Sequence, residues 1–585
     1  MKIRHRINNI IMGIRNGMKR FPITIGFSVL MTILLIYFNE NRFELSELIK
    51  DRLIRVNMVV GMAILLSVCI DLLKENFFKD ERSKILISYI AGIVVLAIYY
   101  LFLLKDFSYV SIGRYTGTMV FLVLAFFYIP RLKRDKDIYE YYVVNILSNV
   151  FLTAIYSIVL LIGLFAIFFT IDKLFDIQIV GKVYYYTFLL VVFVFAVSFF
   201  LSKIPENSRE FIGYKFPKSL RILLSYIVIP LITVYTIILY IYFAKILVSQ
   251  QWPKGLVSHL VLWYSSISVG IVFLTNKIVE EDRVSRWFKK IFPKIILPIL
   301  LMMFISIGQR INQYGITENR YYILVLGIWV TGMMIYFSVK GSLKTIVVPV
   351  SLSLVVLNSV FGPLSSFAVS NFSQNRRLIQ ILNENNMLEG NSIVINPDLS
   401  LDTQEEINNI IYYFDTRHSL KDIKVLDDDF SLDNTEDIFG FAYEPHMSNG
   451  HREYIYIHTN INEEIIPIED YDYFVNIVSW SKDSFSIDDI DIVYEPENNI
   501  LTISDNDGEL VKIDLQEVIV DIYNRLNPST GDFKDKRTVK EMTYNMENDK
   551  IKLELIFTNF SGELDRAKDI TDIRGNEFVI LFKKK

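Results

Sequence analysis

Three histidines in the C-terminal third are the first residues whose type and spacing could do chemistry. His446, His451 and His458 lie within thirteen residues of one another, and imidazole is a common zinc ligand. Their spacing matches no metal-binding motif, so histidines on the surface of a loop or a strand are the favoured interpretation. The sequence therefore predicts neither a metal site nor a cofactor.

Asp505-Asn506-Asp507-Gly508 has the composition of a calcium-binding loop. If Gly508 is placed at the sixth position of such a loop, Ile503 falls at the first position and Asp514 at the twelfth. Calcium loops require Asp and Glu at those two positions. Because alternating apolar runs flank the segment, we predict a turn between two strands instead.

The first loop carries four carboxylates in a short stretch: Glu40, Glu44, Glu47 and Asp51. Glycosyltransferases that use polyprenyl-linked sugars resemble one another in placing catalytic carboxylates in the first outer loop. One interpretation of the four carboxylates is therefore that the protein is an enzyme of this class. Four basic residues alternate with the acids, which favours a solvated connector between two helices. No catalytic signature stands out, and a non-enzymatic protein is the preferred interpretation.

The chain that positions these groups divides at residue 361 into an apolar part and a more polar part. The chain of 585 residues is 52% hydrophobic with a mean hydropathy of +0.35, and most of its apolar runs precede that point. Eleven runs have the length to cross about 30 Å of hydrocarbon. They cover residues 22–38, 56–73, 85–104, 115–129, 142–171, 183–202, 222–248, 256–275, 292–309, 321–338 and 345–361.

Charge separates the two halves and predicts the orientation. Residues 1–361 carry 39 Lys and Arg against 20 Asp and Glu, whereas residues 362–585 carry 21 against 44. Alternate loops, counted from a cytoplasmic N-terminus, carry 27 basic residues and the intervening loops 11. Since basic loops stay in the cytoplasm, we predict a multi-pass protein of the cell membrane with its C-terminal part outside. If the weakest span, taken to be 115–129, did not cross, that side would flip.

Few polar groups interrupt the predicted spans. Asp71 and Lys245 lie near span ends, where snorkelling explains them, and Asn145 and Asn149 are predicted to bond a neighbouring helix. The scarcity of carboxylates argues against an ion-driven pump. Prolines at 230, 298 and 349 are expected to kink three late spans.

The segment after the last span reads as a juxtamembrane amphipathic helix. Gly362-Pro363 ends the span, Ser370 is the predicted N-cap, and Leu378, Ile381 and Leu382 form an apolar stripe. We predict that this segment couples the membrane part to the soluble part. The candidate coupling residues are Gly362, Pro363, Ser370, Gln374, Arg376, Arg377 and Leu378.

This segment also resembles a known family. Gly362-Pro363, Phe367, Val369-Ser370, Ser373-Gln374 and Arg377-Leu378 resemble the recurring segment of an uncharacterised group of bacterial polytopic membrane proteins, domain of unknown function four-one-five-three. Tyr471-Asp472-Tyr473 resembles an element of the tail of that group, although the usual preceding glycine is Asp470 here. The resemblance implies an inner-membrane protein with a soluble tail, and it transfers no catalytic residue.

The predicted fold is an α-helical membrane bundle followed by a soluble α+β domain. We assign residues 1–21 to a basic amphipathic helix on the cytoplasmic leaflet, 22–361 to the bundle, 362–439 to a helical connector and 440–585 to the extracytoplasmic domain. Strands are predicted at 454–458, 500–503, 510–515, 551–558 and 577–582, and a helix through Val518 and Leu526.

Three functions remain open at this point. A cell-envelope scaffold, whose outer domain binds an envelope protein or a cell-wall polymer, is preferred. A transporter or flippase-like protein and the polyprenyl-linked glycosyltransferase are the alternatives. The expected partner is the lipid bilayer, nucleic acid is not expected, and the sequence does not define an oligomeric state.

Overall fold

The computed structural model describes the chain apart from residues 1–14, 79–80, 133–138, 176–179, 206–216, 250–255, 279–282, 341–343, 391, 444–452, 462–463, 479–483, 497, 527–534 and 565–569. It divides into two compact units. The membrane unit comprises Met1–Asp398 and Ile410–Phe441, and the C-terminal unit comprises Leu399–Asn409 and Ala442–Lys585. The chain therefore passes from one unit to the other three times.

Ten helices of the described residues are long and apolar enough to cross a membrane. The shortest has 20 residues, which covers about 30 Å at about 1.5 Å per residue. They are α1 (Pro22–Asn41), α2 (Glu47–Phe78), α3 (Arg82–Leu103), α4 (Tyr109–Arg131), α5 (Tyr139–Phe175), α6 (Gly181–Leu201), α7 (Lys218–Ser249), α8 (Leu256–Ile278), α9 (Arg283–Tyr314) and α10 (Glu318–Val339).

The eleventh predicted span is a shorter apolar helix, α11 (Val347–Val360). Its 14 residues cover about 21 Å, so it, and not the fourth span, is the weak one. The expectation for residues 115–129 was wrong because the helix there extends over 23 residues, Tyr109–Arg131. The number of crossings therefore depends on α11.

Contacts along α10 show that α11 runs antiparallel to it. The backbone N–H of Lys344, before α11, donates to the hydroxyl of Tyr336 (2.9 Å), and Trp329 Nε1 donates to Ser351 Oγ (2.9 Å). Beyond the end of α11, the carbonyl of Leu364 accepts from the Tyr321 hydroxyl. Thus α11 returns the chain to the end of the bundle at which α10 begins.

Polar contacts at the ends of the helices define the two ends of the bundle. At one end the Arg20 guanidinium donates to the Glu75 carboxylate (2.7 Å) and to the carbonyl of Ile204 (2.6 Å). At the other end Lys182 Nζ donates to Glu40 Oε2 (2.6 Å). Arg20 before α1, the last turn of α2 and the residues after α6 therefore share one end, as expected if successive helices cross in alternate directions.

Two predictions for polar groups in the spans were tested. Asp71 does not snorkel: it is buried, and its Oδ1 accepts from the Tyr89 hydroxyl (2.5 Å). A neighbouring helix supplies the donor, so the carboxylate is held inside the bundle. Lys245 is exposed on α7, and its snorkelling stays a prediction. Asn149 bonds Asn145 on its own helix (2.8 Å) and the carbonyl of Lys203 (3.2 Å).

The three prolines that were predicted to kink spans lie in three different local structures. Pro298 lies inside α9, which also contains Pro293, a residue that the sequence analysis did not single out. Pro349 occupies the first turn of α11, where a missing N–H is tolerated. Pro230 follows a π-helical turn at Leu223–Val228, a local widening that accommodates the ring.

After α11 come a helix and a small hairpin, still within the membrane unit. The helix α12 (Ser366–Glu384) buries Leu378, Ile381 and Leu382, as the apolar stripe predicted. The predicted N-cap was wrong: Ser365 Oγ accepts from the N–H of Ala368 (3.4 Å), and Ser370 lies one turn inside the helix. The elements that follow are β1 (Leu388–Glu389), β2 (Ser392–Ile393), α13 (Leu401–Arg417) and α14 (Thr435–Phe439).

The C-terminal unit is an α+β fold, as predicted. A six-stranded sheet has the order β4-β12-β11-β3-β9, with β10 also paired to β11, and a four-stranded antiparallel sheet has the order β5-β6-β7-β8. The elements are β3 (Glu453–His458), β4 (Tyr473–Ile477), β5 (Ser484–Ile487), β6 (Ile490–Glu495), β7 (Ile500–Asp505), β8 (Gly508–Asp514), α15 (Leu515–Leu526), β9 (Asp535–Lys536), β10 (Thr543–Glu547), β11 (Ile551–Leu564) and β12 (Ile570–Lys584).

One apolar core joins both sheets to α15. Alternate residues of β11 and β12 point into it, among them Phe557, Phe578 and Phe582, and β6 adds Ile492. Helix α15 covers this core with Val518, Ile519 and Ile522. The period-two pattern in the strands and the 3.6-residue pattern in the helix thus bury one continuous surface.

Candidate functional site

The structure places the seven predicted coupling residues in three settings. Gly362 and Pro363 form the turn after α11, and Gly362 has a φ of +83°, a conformation that glycine adopts without strain. Ser370, Gln374 and Leu378, spaced four residues apart, are brought together on the buried face of α12. Arg376 is exposed and Arg377 half-buried, so these two are separated from the others.

Gln374 fixes α12 to the turn between α9 and α10. Its side-chain amide donates to the carbonyls of Tyr314 (3.1 Å) and Ile316 (3.0 Å), while Ser373 Oγ accepts from the N–H of Ile316 (2.8 Å). A Cβ on Gly315, where φ is +67°, would lie 2.9 Å from the Gln374 amide nitrogen. The close approach of the two segments therefore depends on a glycine in the turn.

Two arginines flank the ring of Tyr314 in the same turn. The guanidinium carbons of Arg320 and Arg377 lie 5.4 and 5.5 Å from the ring centroid. Arg320 also donates to the carbonyl of Gly315 (2.8 Å). Arg377 thus contacts the bundle through the ring of Tyr314. A lysine would not reproduce this contact, because only the planar guanidinium stacks on an aromatic face.

A buried acid, phenol and imidazole meet at the start of α10. Glu318 Oε1 accepts from the Tyr413 hydroxyl (2.7 Å) and lies 2.8 Å from His418 Nε2, which is 2.8 Å from the Tyr413 oxygen. The side chains of Glu318 and His418 are each only 4% exposed. Glu318 stands in the first turn of α10, where the helix dipole favours a carboxylate.

The protonation of Tyr413 follows from this environment. Burial raises the pKa of the Tyr413 phenol, and the Glu318 carboxylate raises it further, because both oppose a second negative charge. Tyr413 therefore remains a hydrogen-bond donor at neutral pH. The three groups hold residues 413–418 against the first turn of α10, and we call them the Glu318 cluster.

Asn375 holds the segment that follows the Glu318 cluster. Its side-chain amide donates to the carbonyl of Asp422 (2.9 Å), and its Oδ1 accepts from the N–H of Lys424 (2.8 Å). Asn375 is buried, whereas Asp422 and Lys424 are exposed, so the bonds are shielded from water on the side of Asn375 only. The connector is thus attached to the membrane unit by two separate sets of polar contacts.

Sequence reasoning missed a second polar cluster, at the opposite end of the bundle. Glu140 is buried in the first turn of α5, and its Oε1 accepts from Asn276 (2.6 Å) and Thr345 (2.9 Å). Lys289 Nζ donates to Asn276 Oδ1 (2.5 Å). The predicted fifth span began at residue 142, which left Glu140 in a loop, and nothing in the sequence pairs residues so far apart.

The acidic first loop does not gather its carboxylates. Glu40 bonds Lys182 (2.6 Å) and the Tyr186 hydroxyl, and Glu47 bonds Lys50 (2.7 Å). These two acids are engaged in ion pairs of a helix connector. The arrangement differs from a pair of carboxylates converging on one substrate.

The candidate metal motifs of the C-terminal unit form other structures. Asp505 to Gly508 is the predicted turn between β7 and β8, in which Asp505 Oδ1 accepts from the N–H of Asp507 (2.9 Å). The cation beside Asp505 is Lys584 (2.9 Å), whose hydrogen bond lowers the pKa of the Asp505 carboxyl.

Of the three clustered histidines, His446 and His451 lie outside the described residues. His458 ends β3, and its ring stacks on that of Tyr456 with the centroids 5.6 Å apart. Within the part of the chain that the structure describes, no three His, Cys, Asp or Glu side chains are grouped to hold a metal ion.

Two edge strands of the C-terminal unit expose large apolar side chains. β5 is at the edge of the four-stranded sheet, and all four of its residues are exposed, including Phe485 (39%) and Ile487 (43%). β4 is at the edge of the six-stranded sheet and exposes Phe474 (57%). Edge strands offer unpaired backbone groups, and exposed apolar patches mark interaction sites.

The bundle and its soluble domain define an integral membrane protein. Residues 26–390 match the family described as Domain of unknown function (DUF4153), which is more than half of the chain. The chain therefore belongs to this family, as the resemblance at residues 362–378 implied. The matched residues include α12 and all of the bundle except the first four residues of α1, and they end before Tyr471.

One curated relative is an uncharacterised protein of Pasteurella multocida (strain Pm70), 24% identical over 341 residues. The alignment covers 58% of this chain and 54% of the relative, so the chain spans about half the length of the relative it matches. No solved structure matches the chain.

Proposed function

We propose that this integral membrane protein is a cell-envelope binding protein whose C-terminal unit captures an extended segment of a partner protein. The bundle anchors the chain, and residues 362–439 couple the anchor to the binding domain. The observation that carries the proposal is the exposed edge strand β5. The buried contacts of Gln374, Asn375 and the Glu318 cluster support the coupling role, since a passive tether needs no buried polar contacts.

β5 has the properties of a strand-addition site. It pairs with β6 on one side only, so its other side presents backbone donors and acceptors. Phe485 and Ile487 lie on one face of the strand, two residues apart, and accept apolar side chains of an added strand. Main-chain hydrogen bonds provide affinity in such complexes, and alternate side chains provide specificity.

Photocrosslinking in intact cells tests this function. A photoreactive amino acid replaces Phe485 in the full-length chain, and the matched control carries it at Lys512, which is exposed on β8 at the opposite edge of the same sheet. We expect a discrete protein adduct from position 485 and none from 512. Equal adduct patterns from both positions, or none from 485, would contradict the proposal.

Loop charge supports an outer location for the C-terminal unit, and cysteine labelling tests it. Cys69 is buried and is replaced by Ala so that a new cysteine is the only thiol. Lys585→Cys is expected to react with a membrane-impermeant maleimide in intact cells. Arg286→Cys, exposed in the first turn of α9 within the most basic stretch between two spans, is expected to react only after lysis. The reverse result would place the binding domain in the cytoplasm and exclude an envelope partner.

Transport or lipid flipping is a second candidate, favoured by the buried cluster around Glu140. A carboxylate inside a membrane bundle is costly and is often retained for function. In liposomes containing the full-length protein, flipping of a fluorescent phospholipid above the protein-free rate, lowered in Glu140→Gln but not in Glu44→Gln, would support this function.

A further inference from the structure

A cavity of about 430 Å³ lies in the membrane unit between α4, α10 and α11, at the end where α12 begins. This volume is within the range of about 300–1,000 Å³ that is typical of ligand sites. The same helices pack closely beside it: a Cβ on Gly117 would lie 2.6 Å from Val360. The cavity is therefore a defined space between tightly packed helices.

The lining of the cavity selects an apolar occupant. No charged residue lines it, and three of its four hydroxyls are already hydrogen-bonded within the protein. Thr116 Oγ1 donates to the carbonyl of Ile112 (3.0 Å), and Ser359 Oγ donates to the carbonyl of Val355 (2.7 Å). The Tyr322 hydroxyl is hydrogen-bonded to Ser366 Oγ (2.9 Å). Because few polar groups remain to bind a ligand, hydrocarbon is the chemistry that fits.

The cavity is reachable from the bilayer side of a spanning helix. Ile112, Thr116 and Val120 line it at four-residue intervals along α4, and all three are exposed, Ile112 by 44% and Val120 by 41%. The surface of such a helix meets lipid chains when the protein is in a membrane. A lipid acyl chain is therefore the apolar molecule that has access.

A guanidinium group stands beside one end of the cavity. Tyr109 lines that end, and the guanidinium carbon of Arg417 lies 4.3 Å from the centroid of its ring. Arg417 is exposed, and the described residues place no carboxylate in an ion pair with it. Arginine presents a planar set of donors that matches a phosphate group.

We propose that this cavity binds one acyl chain of an anionic phospholipid, with the lipid phosphate held by Arg417. The chain lies between α4, α10 and α11, and the phosphate reaches the guanidinium at the Tyr109 end. An anionic lipid is favoured over a zwitterionic one because the negative charge of its phosphate is not offset by an ammonium group in the same headgroup.

Photolabelling of the purified full-length protein in liposomes tests the chain site. The probe is phosphatidylglycerol with a diazirine in one acyl chain, and labelled peptides are mapped by mass spectrometry. Val356→Phe and Val325→Phe fill the cavity from two different helices. Leu354→Phe and Ile328→Phe are the matched controls, because these side chains are on the same helices, are more than half exposed and do not line the cavity.

We expect labelling of the lining peptides to fall about tenfold in both cavity-filling variants, which corresponds to about 1.4 kcal/mol, and to stay unchanged in both controls. Size-exclusion profiles identify any variant that fails to fold, and the second filled variant then decides. Equal labelling of all four variants would show an ordinary boundary lipid and overturn the proposal.

The headgroup is tested separately by Arg417→Gln. With the phosphatidylglycerol probe, labelling is expected to fall about tenfold, the size of a lost charge-assisted hydrogen bond, whereas Lys421→Gln, an exposed cation of the same segment, leaves it unchanged. With the same acyl chain on phosphatidylcholine, wild type and Arg417→Gln are expected to label alike. Unchanged labelling of Arg417→Gln by phosphatidylglycerol would overturn the role of Arg417. These outcomes do not depend on a protein partner.

Discussion

The two units of this protein differ in how they treat charge. The membrane unit buries four charged side chains almost completely: Asp71, Arg131, Glu140 and Glu318. Among the described residues of the C-terminal unit, no charged residue is buried to this extent, although the side chain of Asp505 is only 6% exposed beside Lys584, and a single large apolar cluster joins both sheets and α15. The membrane unit is thus held together in part by buried charged groups, whereas the C-terminal unit is held together mainly by an apolar core.

The surroundings explain the difference. In water, burying apolar area is the main stabilising contribution, so the C-terminal unit gains most from a continuous apolar core. In a bilayer, apolar contact with lipid is nearly equivalent to apolar contact between helices, so polar contacts are more important in deciding which helices pair. We therefore expect apolar truncations to affect the C-terminal unit most, and loss of polar or close contacts to affect the membrane unit.

The largest expected effect is the loss of Phe578 from the C-terminal core. Phe578 is fully buried, and its ring packs against those of Tyr494 and Phe557 at centroid distances of 5.3 and 5.5 Å. Phe578→Ala should lower the free energy of unfolding of this unit by about 3–5 kcal/mol. Urea unfolding of the full-length protein, followed by hydrogen exchange of β11 and β12, measures it.

The control for Phe578→Ala is Phe474→Ala on the exposed side of β4, which should change stability by less than about 0.5 kcal/mol. An equal loss in the two variants would mean that the apolar core does not dominate the stability of this unit.

The next largest effect should come from Glu318 in the membrane unit. Glu318→Ala removes the acceptor that Tyr413 and His418 share and leaves these two side chains bonded only to each other, at a cost of about 2–3 kcal/mol. Hydrogen exchange of residues 413–424 should accelerate, while exchange in the spans is unchanged. Glu318→Gln keeps an acceptor oxygen and should lose less.

Glu384→Ala removes an exposed carboxylate at the end of α12 and is the control for Glu318→Ala. If it accelerated exchange of residues 413–424 as much as Glu318→Ala did, general loss of charge would explain the effect, and the Glu318 cluster would not hold the connector.

Helix packing in the membrane unit should respond to one added methyl group. A Cβ on Gly117 would lie 2.6 Å from Val360, so Gly117→Ala should cost about 1–3 kcal/mol through overpacking. The additional change Val360→Ala should restore part of this loss. The melting temperature of the protein in detergent reports both effects.

Gly163 provides the matched control for the Gly117 variant. It is exposed on α5, and a Cβ there meets nothing within 4 Å, so Gly163→Ala should stabilise the helix by up to about 1 kcal/mol. A lower melting temperature for Gly163→Ala would show that any methyl group on these helices is harmful, and that the contact between α4 and α11 is not special.

Sequence patterns predicted the elements whose information is local. The stripe of Leu378, Ile381 and Leu382 predicted the buried face of α12, because three- and four-residue spacing places side chains on one helical face. Alternation likewise predicted β3 and the β7–β8 hairpin. The N-cap of α12 was misplaced because Ser365 and Ser370 are equally good capping residues, and only the start of the helical backbone decides between them.

The candidate site was less accessible to sequence reasoning because its partners are distant in the chain. Glu318 lay in a predicted loop, and its partners Tyr413 and His418 follow about one hundred residues later. Gln374 was selected by its position in the connector, yet its bonds to the turn after α9 require the folded bundle. A carboxylate such as Asp71, next to a span end, looks the same in sequence whether it snorkels or accepts a bond from Tyr89.

The smallest expected effect is electrostatic and depends on pH. Lys584, at the end of β12, donates to Asp489 (2.6 Å) and lies 2.9 Å from Asp505. These two contacts join the two sheets of the C-terminal unit. Its hydrogen bonds lower the pKa of both carboxyls below the ordinary value of 3.8 and raise the pKa of Lys584. Because the folded carboxyl pKa values lie below the unfolded ones, this stabilisation is complete above about pH 4 and disappears as the pH falls through the folded values.

Calorimetry of Lys584→Met should therefore show a lower melting temperature than wild type for the C-terminal unit at pH 6, and the difference should shrink as the pH falls below the unfolded carboxyl pKa of 3.8. Lys584 stays charged throughout this range, so only the carboxyls titrate. Lys512→Met, an exposed cation on β8, should show no such dependence. A difference between Lys584→Met and wild type that persisted at low pH would assign the contribution of Lys584 to the packing of its aliphatic chain.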